Sequence, residues 1–352
     1  MKYYGVVYDV GLRFSPDTLS VEPFNPSLVE YDINTIANDL NANAIRVEGE
    51  EISRLVTSAH IAHKVGLTVF FNPWKMGATV EETQTYLAEA AKEAERLRLS
   101  GVKIVFVVGC ELTIFSDGIF PGNSWAERGM WLSSQSGNLN SGPGGSNTLA
   151  EKTVLLNQAL RSFVETVRPV FGGQITYSAG LWEDVDWSIF DIVGVDYYRH
   201  TETDEEYVAG LNRYRREGIP ITVMEVGCCA YEGAGKLGDG GFAVLQGVNQ
   251  DGTGIFQEGV VPKRSEWEQA DYIGTQLELL NGADVEAVFV FEFSKPVLPF
   301  GEGTKDHDLA SFALVKTFAP DDPRSQSLPP WEPKEAFHRV AQTFRKFSES
   351  RR

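Results

Sequence analysis

Lys103–Thr113 reads KIVFVVGCELT: the apolar run Ile104–Val108 passes through Gly109 and Cys110 directly into a carboxylate, Glu111. A continuous, β-branched run of this kind predicts a strand buried on both faces, as in a parallel sheet. A charge placed where such a strand ends is costly unless it is solvated, paired or used. One solvated strand-end glutamate would need no further account. Ile221–Gly227, ITVMEVG, repeats the arrangement with Glu225, and the two together ask for an explanation.

Six further apolar runs flank these two, at Tyr3–Val10, Ala44–Glu48, Leu67–Asn72, Gln174–Ser178, Ile192–Tyr198 and Val285–Phe293. Helical patterns separate most of them: Ser27–Leu40, Glu50–Val65, Val80–Ser100, Leu149–Val170, Asp204–Glu217 and Ser265–Leu280, with Lys334–Ser348 last. Only Trp182–Phe190 lies between the fifth and sixth strands, enough for a short turn. Alternating strand and helix implies parallel pairing through right-handed crossovers. Eight strands point to a closed (β/α)₈ barrel, one domain over residues 1–352, rather than a doubly wound sheet. The connections from helix to strand are short, whereas those from strand to helix are long at 112–148, 228–264 and 294–332. The first of these contains the glycine-rich stretch Ser136–Asn147, which suggests mobility. An interdomain linker is the alternative, but the strand–helix rhythm resumes on either side.

The chain has 49 acidic against 31 basic residues, a formal net charge of -18. Such a field repels phosphate backbones and anionic lipid, so neither nucleic acid nor a membrane surface is an expected partner. Cys110, Cys228 and Cys229 form no disulfide framework, and Cys228 and Cys229 are adjacent, so reduced thiols in a cytoplasm are expected. The first residues enter an apolar strand with no basic leader before it, which points the same way.

In a barrel of this kind chemistry collects at the carboxyl ends of the strands. Those ends carry Asp9, Arg46 with Glu48, Asn72 with Trp74, Glu111, Asp196 with Tyr198, Glu225, and Glu292. The inventory is rich in carboxylates and poor in histidine: His60, His63 and His338 fall on helices, leaving His200 and His307 near the rim. No metalloprotease, phosphate-loop or dinucleotide-binding motif follows a strand. Carboxylates on strands four and seven of a closed barrel face each other across its mouth. Glycoside cleavage needs such a pair, one carboxyl to protonate the leaving oxygen and one to attack or to activate water. Arg46 and the Tyr198 hydroxyl are placed to keep the second ionised.

The chain resembles the clan A glycoside hydrolases in VVGCEL around Glu111, VMEVG around Glu225, Arg46 ending strand two, and DIVGVDYY, Asp191–Tyr198, on strand six. The resemblance implies that Glu111 is the general acid/base, Glu225 the nucleophile, and that Arg46 and Tyr198 support the nucleophile. It also implies double displacement with retention, and no metal or organic cofactor. Two positions depart from the family. Cys110 stands where an asparagine usually binds the sugar's 2-hydroxyl, and Glu292-Phe293 stands where a tryptophan often ends strand eight. A furanose, a modified sugar or a differently oriented glycone therefore fits as well as an ordinary pyranoside.

Trp74, Trp125 and Trp182 near the rim suit the apolar faces of sugar rings, though each could simply fill a gap under a loop. Trp187 and Trp267, in or beside helical patterns, are expected to pack. Asp9, Glu48, Asp196 and Glu292 are candidates for substrate hydroxyls, or for a charge network with Arg46, Arg199 and Lys295. The expected partner is a small oligosaccharide or glycoside. The alternatives are a divalent-metal sugar isomerase or epimerase using Asp196, Glu225, Glu292 and His200, or a barrel that binds sugar without cleaving it. Strand five, ending Ser178-Ala179-Gly180, offers no ligand to the metal enzyme.

Overall fold

The computed structural model describes residues 1–14, 17–135 and 147–350. Eight parallel strands are present: β1 (Tyr3–Asp9), β2 (Ala44–Gly49), β3 (Thr68–Pro73), β4 (Ile104–Cys110), β5 (Gln174–Ser178), β6 (Val193–Asp196), β7 (Ile221–Val226) and β8 (Ala287–Val290). Their spatial order is β5-β4-β3-β2-β1-β8-β7-β6. The ring closes between β5 and β6 through the Ala179–Val195 bridge and a hydrogen bond from Asp196 N to the Ala179 carbonyl at 2.9 Å. The chain is a (β/α)₈ barrel.

The helices are α1 (Pro26–Asn38), α2 (Ile52–Lys64), α3 (Val80–Leu99), α4 (Asn147–Val167), α5 (Asp204–Gly210), α6 (Glu266–Gly282) and α7 (Glu335–Glu349). Their starts are written locally. Asn25 caps α1 ahead of Pro26, and the Thr79/Glu82 and Thr203/Glu206 pairs form capping boxes on α3 and α5. Strand side chains alternate. One set (Val7, Ala44, Phe70, Val105, Val107, Met224, Phe289) fills the barrel interior, while the other joins the helices in the larger outer core.

Several expectations need correction. The helix read as Asp204–Glu217 stops at Gly210 and continues only as a 3₁₀ turn, Leu211–Tyr214. Tyr197 OH takes the Tyr207 carbonyl at 2.7 Å, and Leu211 N turns instead to Ala209 and Val208. Strands six and eight are shorter than their apolar runs, because pairing with β7 shifts register near their ends. Trp267 does not pack: it is 66% exposed, since the buried face of α6 begins at Gln269 and the first turn projects past it. The long connections also carry structure of their own, including helices Leu112–Phe115 and Trp125–Gln135 and the antiparallel pairs 245–248 with 254–256 and 315–317 with 331–333. The glycine-rich residues 136–146 lie outside the described residues. All three cysteines are free and buried. Among the described residues no helix is long and apolar enough to cross a membrane.

Candidate active site

Backbone irregularity aims the two glutamates. On β4, Val105 and Val107 face the barrel interior, and strict alternation would turn Cys110 outward. The ladder with β5 shifts register between Val107 and Cys110, around Gly109 at φ 147°, and Cys110 points inward. Glu111 follows in the left-handed region, φ 43° and ψ 48°, which costs a non-glycine residue about 1–3 kcal/mol. Its N–H is anchored to the Ser178 carbonyl at 2.9 Å. The turn after it is tied down as well: Leu112 N donates to Tyr177 OH, while Thr113 N and Oγ1 donate to Glu183.

On β7 the register with β6 runs Val195↔Val223 and then Asp196↔Glu225, so Met224 is an extra residue. Such bulges re-aim side chains and are frequent beside active sites. The Met224 carbonyl accepts from Arg46 Nη1 at 3.1 Å, and the same nitrogen donates to Glu225 Oε1 at 3.0 Å. Tyr198 OH donates to Glu225 Oε2 at 2.8 Å. Arg46 is fully buried, donates from Nε to Asn72 Oδ1 at 3.0 Å, and lies 2.9 Å from Glu48.

Cys110 Sγ sits 3.6 Å from both Asp196 Oδ2 and Glu225 Oε1. A thiol has one proton, so it can serve only one of these carboxylates at a time. Asp196 Oδ1 is 2.5 Å from Ser178 Oγ. Burial and then the neighbouring Glu225 charge push the Asp196 carboxyl well above its usual range, against the opposing pull of Arg46. Burial, then Asp196 and Glu225, also hold the Cys110 thiol protonated.

Glu111 is partly exposed at the mouth. Among the described residues its carboxylate has no cation beside it. Burial raises its pKa well above the ordinary glutamate value, and Asp196, Glu225, Glu183 and Asp239 push in the same direction. A carboxyl kept protonated beside a carboxylate held by two donors can divide acid from base or nucleophile.

The remaining candidates fall into three groups. Asp9, Glu48 and Glu292 are buried and line up beside Lys295, which is 3.3 Å from Glu292 and 3.8 Å from Asp9. Trp74 is buried and meets Phe115 edge-on at 5.0 Å, and Trp125 lies tilted against the same ring at 6.3 Å. Trp125 Nε1 is spent on the Phe14 carbonyl and Trp182 Nε1 on Thr113 Oγ1, so each indole also fixes a loop. The third group is not brought together. His200 pairs with Asp239 at 2.8 Å and Arg199 with Asp204, and among the described residues neither His200 nor Glu292 joins Asp196 and Glu225 in one ligand set.

Among the described residues the one set of three potential metal ligands in mutual reach is Cys110, Asp196 and Glu225. The Arg46 guanidinium already stands against it, 3.0 Å from Glu225 and 3.9 Å from Asp196. That donor set does not match the ligands expected for the sugar isomerase.

Sequence reasoning missed Tyr177, Ser178, Glu183 and Phe291. The first two lie on β5, and their polar groups next to apolar neighbours were the available signal. Phe293 is fully buried against Tyr8 and Trp331, whereas Phe291 is the partly exposed aromatic at the end of β8, 5.7 Å from Phe312.

No family model and no curated protein matches the sequence. Solved structures do match in fold. A GH113 beta-1,4-mannanase superposes with a TM-score of 0.59 at 14% identity, covering 98% of this chain and 99% of that one. The GH113 beta-mannanase from Alicyclobacillus acidocaldarius gives 0.57 at 15% identity, covering 98% of each. Bacteroides uniformis beta-glucuronidase 2 gives 0.55 at 14% identity, with 98% of this chain but 35% of that one. The chain therefore shares the (β/α)₈ barrel on which these glycosidases are built.

Proposed function

We propose that the chain is a retaining glycosidase acting on a small oligosaccharide or glycoside. The observation that carries this reading is the contrast between two strand-end glutamates. Glu225 is held by Arg46 and Tyr198, while Glu111 faces carboxylates with no cation beside it among the described residues. The mannanases and glucuronidase that share the barrel by name cleave glycosides, which supports the same reading.

Glu225 attacks the anomeric carbon and forms a glycosyl ester, while Glu111 passes its proton to the departing oxygen. Glu111, now ionised, takes a proton from water, which attacks the same carbon and restores both carboxyls. Arg46 and Tyr198 each bond one Glu225 oxygen and aim the carboxylate. Asp196 and Cys110 sit where an amide would otherwise contact the sugar, so a protonated Asp196 or the thiol supplies the donor there. Phe291 and Trp125, both partly exposed, offer ring surface to a sugar.

Incubation with a panel of 2-deoxy-2-fluoro glycosides bearing good leaving groups tests the reading. Mass spectrometry should find a glycosyl adduct on the Glu225 peptide, lost in Glu225→Ala. Normally folded Glu111→Gln and Glu225→Gln variants that keep full hydrolytic activity would overturn it.

A further inference from the structure

The contacts around Glu225 leave a neighbouring set of buried polar atoms unused. Asp9, Glu48 and Asn72 are register partners on β1, β2 and β3, one rung of the barrel interior above Val7, Arg46 and Phe70. All three are 4% exposed or less. Asp9 accepts from Gly11 N on Oδ1 at 2.7 Å, but among the described residues its Oδ2 accepts no hydrogen bond, and neither does either oxygen of Glu48. The Arg46 Nη2–Glu48 Oε2 approach at 2.9 Å is an ion pair without hydrogen-bond alignment. Lys295 reaches the rung from beyond β8 but stands 3.8 Å from Asp9 Oδ2.

Like charges opposite each other on paired strands repel, and buried acceptors without donors are unfavourable. Lys295 and Arg46 do not cancel the excess. Burial lifts the Glu48 carboxyl to about 8, with Arg46 opposing and Glu225, Asp9 and Glu292 adding to the rise. Burial likewise lifts Glu292 to about 7 against the pull of Lys295. Three carboxylate oxygens of this rung therefore have no aligned donor, and the acids around them outnumber the two cations.

We propose that the glycone carries a basic amino group, received by Asp9 Oδ2 and the Glu48 carboxylate. This rests on the glycosidase reading of the same site. An ammonium offers three donors and no acceptor, matching the three carboxylate oxygens once its charge draws Glu48 into the ionised form, whereas a hydroxyl offers one. Asn72 Nδ2 and Trp74 Nε1, also buried without partners, are donors left for oxygens of adjacent hydroxyls. A uronic acid would bring a further carboxylate against Asp9, Glu48 and Glu292, with both cations already in ion pairs. A metal ion is disfavoured here, because Lys295 already stands between Asp9 and Glu292.

The test uses 4-nitrophenyl glycosides of glucose and mannose, their 2-amino and 6-amino analogues, and the N-acetylated forms. At least one amino glycoside should exceed its neutral parent and its N-acetyl form by tenfold or more in kcat/KM. Glu48→Gln and Asp9→Asn should each collapse that ratio toward one. Hydrolysis with a neutral parent preferred, or a ratio unchanged in both variants, overturns this inference and leaves the glycosidase reading standing. If no glycoside is cleaved, the glycosidase reading fails. Calorimetry of the intact protein with D-glucosamine and D-glucose then decides the amino-group claim: selective binding lost in Glu48→Gln upholds it, and equal or absent binding overturns it.

Discussion

Glu111, just past the end of β4, and Glu225, the penultimate residue of β7, are the same residue type, yet their surroundings are opposites. Glu225 receives Arg46 on one oxygen and Tyr198 on the other. Glu111 is held through its backbone, in a left-handed conformation, and the carboxylates of Asp196, Glu225, Glu183 and Asp239 act on its side chain. Residue type therefore sets what a strand end can do, and its neighbours set how the carboxyl is held. Both environments come from irregularities: the Gly109 register shift turns β4 inward, and the Met224 bulge gives Arg46 a carbonyl and a carboxylate on one nitrogen.

Removing the held member should do most damage. Glu225→Gln is expected to lower kcat by about 10⁴-fold or more, read as turnover of an activated aryl glycoside. Glu111→Gln should cost about 10²–10⁴-fold, less for substrates with good leaving groups. Its pH profile sharpens the contrast. A general acid works protonated, so wild-type activity falls as pH rises through the raised Glu111 pKa, and the variant should lose that alkaline limb.

Dismantling what holds Glu225 comes next. Arg46→Met leaves Glu225, Glu48 and Asp196 buried without their cation, and should lower stability by about 3–5 kcal/mol in urea denaturation. Tyr198→Phe deletes one hydrogen bond to a charged carboxylate, worth about 1.5–3 kcal/mol, and should reduce kcat/KM by about 10–100-fold with little change in fold.

The smallest effect isolates burial from neighbouring charge. Asp32 is buried among donors, Tyr8 OH at 2.8 Å and Trp331 Nε1 at 2.9 Å, and burial still raises it to about 7. A carboxyl with a higher pKa in the folded state binds more protons there, so stability should fall as pH climbs from about 4 to about 7. Asp32→Asn should flatten that part of a melting-temperature profile, while the slopes from Glu48 and Glu292 persist.

Much of this was legible along the chain. Continuous apolar runs such as Ile104–Val108 separated by amphipathic stretches mark buried parallel strands, because burial on both faces leaves no polar alternation. Arg46, Glu48, Asp9 and Asn72 were also readable, since they simply extend the interior parity of their strands. Trp267 misled because an indole in a helical pattern reads as packing, and only the position of α6 shows its first turn overhanging. Phe291 was overlooked because the end of β8 cannot be fixed to one residue from composition.

The sequence by itself determined the barrel, the strand-end carboxylates and the absence of histidine among them, because these follow from periodicity and residue type, which are local. Tertiary structure alone decided that Cys110 and Glu225 turn inward against parity, that one arginine serves Glu225, Asp196 and Glu48, and that no cation among the described residues stands beside Glu111. Those facts depend on register between strands far apart in the chain, and a shift of one residue there exchanges the inner and outer faces.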